Sequence, residues 1–140
     1  MSVRWADVSV GDELPTLVLE MTATRIVAGA IATRDFMPVH HDRDYANAQG
    51  APDIFMNILS TNAYCTRFLT DWAGPDAMVR RVSIRLGVPV MPRSTLTFTG
   101  TVTATTAPDL VDVEFRATND LGDHVTGTAT LSLSPTGPAG

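Results

Sequence analysis

The stretch Pro52-Asp53-Ile54-Phe55-Met56-Asn57-Ile58-Leu59-Ser60-Thr61-Asn62-Ala63-Tyr64-Cys65-Thr66-Arg67-Phe68-Leu69-Thr70-Asp71-Trp72-Ala73-Gly74-Pro75 decides the fold. Within it Ile54, Phe55, Ile58, Leu59, Cys65, Phe68, Leu69 and Trp72 recur at helical spacing. Pro52-Asp53 is the expected start signal and Gly74-Pro75 the stop. The apolar residues occupy more than one narrow stripe, so this helix is expected to be covered on several sides.

Downstream of the helix the period changes from 3.6 to two. Val82, Ile84, Leu86, Val88 and Val90 alternate with Arg81, Ser83 and Arg85, the pattern of a half-buried strand. Three more alternating sets follow: Leu96, Phe98 and Val102; Val111, Val113, Phe115 and Ala117; and Val125, Ala129, Leu131 and Leu133. The residues between them, such as Thr95, Thr97, Thr99 and Thr101, are polar, as an antiparallel sheet with one wet face requires. Pro108-Asp109 and Asp120-Leu121-Gly122-Asp123 supply turns. An earlier segment with Leu17, Leu19 and Met21 on one face adds a fifth strand. One long buried helix followed by antiparallel strands predicts an α+β domain, a curved sheet wrapped around a single long central helix. Residues 1–134 are expected to form that domain, with the Pro- and Gly-rich residues 135–140 a fraying tail.

Composition narrows the chemistry. A chain of 140 residues is long enough for one real core. The net charge of -5 works against a nucleic-acid partner, which needs a basic face. No apolar run approaches the roughly 20 residues that span a bilayer, and the N-terminus lacks the apolar core of a signal peptide, so the expected location is the cytoplasm, off the membrane. Every basic residue is arginine, which excludes Schiff-base chemistry and a lysine-dependent phosphate loop. The single cysteine, Cys65, reads as a structural thiol among Tyr64 and Phe68.

Acid-base work therefore falls to Asp, Glu, His or Tyr, and these concentrate in Arg34-Asp35-Phe36-Met37-Pro38-Val39-His40-His41-Asp42-Arg43-Asp44. Pro38 disfavours helix at Met37, so Asp35 and His40 are expected at the two ends of a fixed, extended turn. A carboxylate and an imidazole so placed can share one water, one group taking a proton and the other delivering one. A plainer reading has Asp42 capping a short helix from Arg43 to Gln49 that Gly50 closes, with the histidines satisfying backbone groups. A metal site of His40, His41, Asp42 and Asp44 is the other alternative, set aside because adjacent residues rarely converge on one ion. His124 reads as a surface or edge residue, and Arg81 and Arg85 as solvated arginines that could also pair with a phosphate.

Asp35-Phe36-Met37-Pro38-Val39-His40 resembles the hydratase signature of the MaoC-like (R)-hydratase family, in which Asp and His bracket a Pro at this spacing. Further blocks look like the small catalytic subunits of bacterial steroid (cholesterol) side-chain enoyl-CoA hydratases. These include Ala32-Thr33-Arg34-Asp35-Phe36, Val39-His40-His41-Asp42-Arg43-Asp44, Thr70-Asp71-Trp72-Ala73-Gly74-Pro75 and Leu121-Gly122-Asp123-His124-Val125. The resemblance implies a hotdog fold and a hydro-lyase. Its reaction would be hydration of a bulky 2-enoyl-CoA thioester to a 3-hydroxyacyl-CoA, with Asp35 and His40 as catalytic residues and no metal or redox cofactor. It also implies an oxyanion site at the start of the long helix, assigned to Met56 and Asn57, and a second MaoC-like hotdog subunit as partner, or failing that a homodimer. Fatty 3-hydroxyacyl thioester dehydration, thioester cleavage and non-catalytic acyl-CoA binding remain open. The chain departs from the family where Met37 replaces an Asn and Phe55-Met56 replaces a His-Gly pair.

Overall fold

The computed structural model describes residues 1–134; the tail expected at 135–140 lies outside the described residues. In chain order the elements are β1 (Leu17–Met21), α1 (Ala23–Ala32), α2 (Arg43–Ala48), α3 (Ile58–Ala73), β2 (Met78–Leu86), β3 (Ser94–Thr106), β4 (Leu110–Asn119) and β5 (Gly122–Ser132). Short 3-10 turns occupy Trp5–Asp7 and Pro38–His40. The five strands form one antiparallel sheet in the order β1-β3-β4-β5-β2.

Alternation fixes the register. Leu19 lies opposite Leu96, Phe98 opposite Ala117 and Val102 opposite Val113, so the buried faces of neighbouring strands coincide. The ladder carries one extra residue at Thr103 in β3, against β4, and one at His124 in β5, against β4, and such bulges bend the strands. The sheet thereby curves around α3. Phe68 of α3 stacks on Phe98 at 5.6 Å and tilts against Phe115 at 6.4 Å. It reaches them over Gly100, where a Cβ would stand 3.0 Å from the Phe68 ring and 3.1 Å from the Glu114 carbonyl oxygen. The fold class expected from the sequence holds.

Four local expectations change. The long helix begins at Ile58 rather than at Pro52-Asp53, because Asn57 is its N-cap: its Oδ1 accepts from Ser60 N–H at 3.3 Å. Ile54 and Met56 lie ahead of the helix and are buried there. The buried residues of α3, Ser60, Thr61, Cys65, Phe68, Leu69 and Ala73, form one stripe, and Ile58 and Leu59 stay half exposed, so the helix is not covered all round. A second helix, α1, stands where none was expected, capped by Thr22 Oγ1 accepting from Arg25 N–H. It crosses α3 where Gly29 meets Ser60, an approach too close for a Cβ. Finally, β2 begins at Met78 and ends at Leu86, so Val88 and Val90 are not strand residues. As an edge strand, bonded among the described residues only to β5, β2 leaves Leu86 exposed, while Val90 enters the core from the loop.

Candidate active site

The C-terminus of α1 delivers Asp35. Thr33 caps the helix, Arg34 N–H donates to Ile31 O, and Asp35 N–H reaches back to Ala30 O at 2.9 Å. This is a Schellman closure whose left-handed residue is Arg34, at φ 57°. Arginine bears a strain there that glycine would not. The turn ends the helix abruptly and projects Asp35 into the space before α3.

His40 arrives from the other side. Met37 is extended, at φ -60° and ψ 124°, as the residue before a proline must be. From Pro38 the chain tightens into a 3-10 turn, so the expected extended connection is extended only in its first half. The turn buries His40, whose ring stands edge-on to Phe55 at 5.1 Å. Its Nδ1 lies 2.7 Å from Phe55 O. A carbonyl oxygen only accepts, so Nδ1 carries the hydrogen; when the ring is neutral, Nε2 is left as an acceptor.

Nε2 faces Asp35 Oδ2 at 3.3 Å. Asp35 is anchored on both oxygens: Met37 N–H donates to Oδ1 at 3.3 Å and Asn57 Nδ2 to Oδ2 at 3.1 Å. Asn57 also donates to Thr33 Oγ1 at 2.8 Å, and Thr33 in turn donates to the last carbonyls of α1. The Asp35 side chain is 26% exposed and that of His40 9%, so the pair is open to solvent through the carboxylate.

The structure brings together Asp35, His40 and Asn57, and it redistributes the other candidates. The Met56 N–H, expected at the oxyanion site, donates to Val90 O at 2.9 Å. The Asn57 N–H has no acceptor among the described residues. Asp42 caps α2 by accepting from Tyr45 N–H at 3.1 Å, and Gly50 follows that helix at φ 93°, as the plainer reading has it. His41 is exposed, and among the described residues no three His, Cys, Asp or Glu groups converge to hold a metal ion.

His124 is a correction: it is 4% exposed, not a surface residue. It lies beneath the first turn of α3, with Nδ1 2.6 Å from Val88 O and Nε2 2.8 Å from Thr61 Oγ1. Burial lowers its pKa below the usual histidine value. Thr33, Thr61 and the Phe55 carbonyl are the site components that sequence reasoning missed. Only the polar residue ahead of an apolar helix, Asn57, carried a readable signal.

A groove of about 850 Å³ crosses the sheet between Glu13, Arg85, Glu114 and Arg116, but it does not contain the pair. A second, of about 570 Å³, adjoins it in sequence and is lined by His41, Arg43, Ile54 and Arg93.

No protein-family model matches the sequence. The 3-oxo-4,17-pregnadiene-20-carboxyl-CoA hydratase beta subunit of Mycobacterium tuberculosis is 51% identical over 124 residues, covering 89% of this chain and 95% of that protein. The chain belongs to this hydratase beta-subunit family. The crystal structure of the ChsH1-ChsH2 complex from Mycobacterium tuberculosis contains a chain similar to this hydratase family member, with a TM-score of 0.87 and 50% identity. The match covers 90% of the present chain and 98% of that one. A MaoC-like dehydratase shares the hotdog fold at a TM-score of 0.88 and 24% identity, over 95% of the present chain and 43% of that chain. No helix of the described residues is long and apolar enough to cross a membrane.

Proposed function

We propose that this chain is the catalytic subunit of a cytoplasmic enoyl-CoA hydratase. It adds water across the 2,3 double bond of a bulky steroid side-chain 2-enoyl-CoA to give a 3-hydroxyacyl-CoA. The observation that carries the reading is the approach of Asp35 Oδ2 and His40 Nε2 to 3.3 Å, with Nδ1 of the ring committed to Phe55 O. With the ring neutral, both atoms are acceptors. They bond a shared donor, and a water molecule donates one hydrogen to each.

Water so held directs an oxygen lone pair outward, toward C3 of an enoyl thioester. As the C3–O bond forms and the C2–C3 π bond breaks, negative charge moves to the thioester oxygen. The Asn57 N–H, at the positive end of α3, is the donor we assign to that oxygen. The pair takes one proton from the water and returns one to C2, so the elements of water are added without any change in electron count. Nothing in the reaction requires a redox cofactor.

Family membership supports the steroid substrate and the partner. Ile31, Phe36, Met37, Ile58 and Leu59, which flank the site residues in sequence, are each about half exposed, an apolar rim suited to a large acyl group and to a second hotdog subunit. The unpaired edge of β2 offers that subunit a strand to extend. Arg43 and Arg93, along the groove that His41 also lines, can meet the CoA phosphates.

The test is loss of the enoyl-thioester absorbance on a steroid 2-enoyl-CoA by the chain assembled with its partner. Asp35→Asn and His40→Ala should each lower kcat by at least about a hundredfold. Undiminished turnover in either variant refutes the assignment, and release of free CoA would show thioester cleavage instead.

A further inference from the structure

His124 is a buried imidazole that the hydration chemistry does not touch, yet its hydrogen bonds lead step by step to the pair. We propose that His124 and Thr61 are positioning residues for the reaction: they fix the first turn of α3 and, through Asn57, hold the Asp35 carboxylate in place against His40. This inference rests on the reading of Asp35 and His40 as the working pair.

The bond directions follow from a neutral His124 ring. Val88 O accepts from His124 Nδ1–H at 2.6 Å, so Nε2 accepts from the Thr61 hydroxyl at 2.8 Å, and Asn57 O, at 3.4 Å, is the longer second acceptor of the same hydroxyl. The Thr61 N–H donates to Asn57 O at 3.2 Å, fixing the Asn57 peptide from behind. The Asn57 amide is then fully assigned, its Oδ1 accepting from Ser60 N–H and its Nδ2 donating to Thr33 Oγ1 and to Asp35 Oδ2.

A second anchor repeats the logic on the other side of Asn57, where Met56 N–H donates to Val90 O. Val88 and Val90 belong to one loop, itself tied to β5 by Val88 N–H to Asp123 O. Asn57 is thus clamped at both flanks to the segment joining β2 and β3. Its free N–H, the proposed donor to the thioester oxygen, is aimed by the same clamp. A satisfied buried network of this kind specifies one geometry where apolar packing would tolerate several. Burial, which disfavours the charged ring, keeps His124 in the neutral form that the network needs.

Thr61→Val removes the hydroxyl while preserving shape, and Thr61→Ser restores it. On the assembled enzyme with a steroid 2-enoyl-CoA, Thr61→Val should lower kcat roughly 10- to 100-fold, since a misplacement of about 1 Å costs on the order of a hundredfold. KM should stay within about twofold, and Thr61→Ser should recover most of the loss. The ring ¹⁵N resonances of His40 should move in Thr61→Val and return in Thr61→Ser. Wild-type kcat in Thr61→Val, an effect confined to KM, or a Thr61→Ser variant as impaired as Thr61→Val would overturn the proposal. An inactive wild-type enzyme would remove the hydratase reading itself. The His40 resonances then still decide whether Thr61 fixes the site, and unchanged signals in Thr61→Val overturn that.

Discussion

Stability should fall on acidification below about pH 6.5 in proportion to one buried imidazole, and His124→Gln should remove that component. His124 is 4% exposed, and its folded-state pKa is lowered from 6.5 by desolvation, against a smaller opposing effect of its bond to Val88 O. In the unfolded chain the ring titrates near 6.5, so below that pH the unfolded state binds a proton that the folded state refuses. The stabilisation is present in full above pH 6.5 and is lost as pH falls toward the folded-state pKa. For one proton the slope in that interval is at most about 1.4 kcal/mol per pH unit. Urea unfolding at half-unit steps from pH 5 to 8, for wild type and His124→Gln, gives the difference profile directly. The carboxylates, His40 and His41 are common to both proteins and cancel. Glutamine costs stability at every pH by breaking the Val88 or Thr61 bond, so the informative quantity is the slope and not the offset. Parallel profiles below pH 6.5 would refute the reasoning.

Two further outcomes follow from the core. Gly100→Ala should destabilise by about 1–3 kcal/mol in thermal or urea unfolding, because the added Cβ meets the Phe68 ring at 3.0 Å and a backbone oxygen at 3.1 Å and cannot push both away. Cys65, fully buried with its thiol pushed up to about 12 by desolvation, should resist a disulfide-exchange reagent at pH 8 in the native protein and react once urea unfolds it.

The sheet was legible because its signal is local. Leu96, Phe98, Val102, Val111, Val113 and Leu131 alternate in sequence and are all buried, since a period-two pattern admits few other ways to hide an apolar face. α1 was not legible, because Ala23–Ala32 offers only Ile26 and Ala30 to the core, too sparse a stripe to read. The error in the start of α3 has the same kind of cause. Ile54 and Met56 are as buried as helix residues, but they reach the core from the segment ahead of the helix, where Ile54 N–H bonds to Asp53 Oδ1 and Met56 N–H to Val90 O. His124 was misplaced because a residue just after a turn is ordinarily solvated, and nothing local announces that the first turn of α3 covers it.

The sequence by itself determined the α+β class, the buried faces of the central strands β3, β4 and β5, the short capped helix after Asp42, and the acid-base segment around Pro38 that holds Asp35 and His40. These depend on neighbours within a few residues, where period, capping and proline geometry act. Only the tertiary structure decided that the Met56 N–H bonds to Val90 O, that the Asn57 amide bonds to Asp35, and that His124 and Thr61 stand behind Asn57. Those outcomes depend on hydrogen-bond partners separated by 22 to 63 positions. A donor cannot be known to be free until every acceptor that could reach it has been placed.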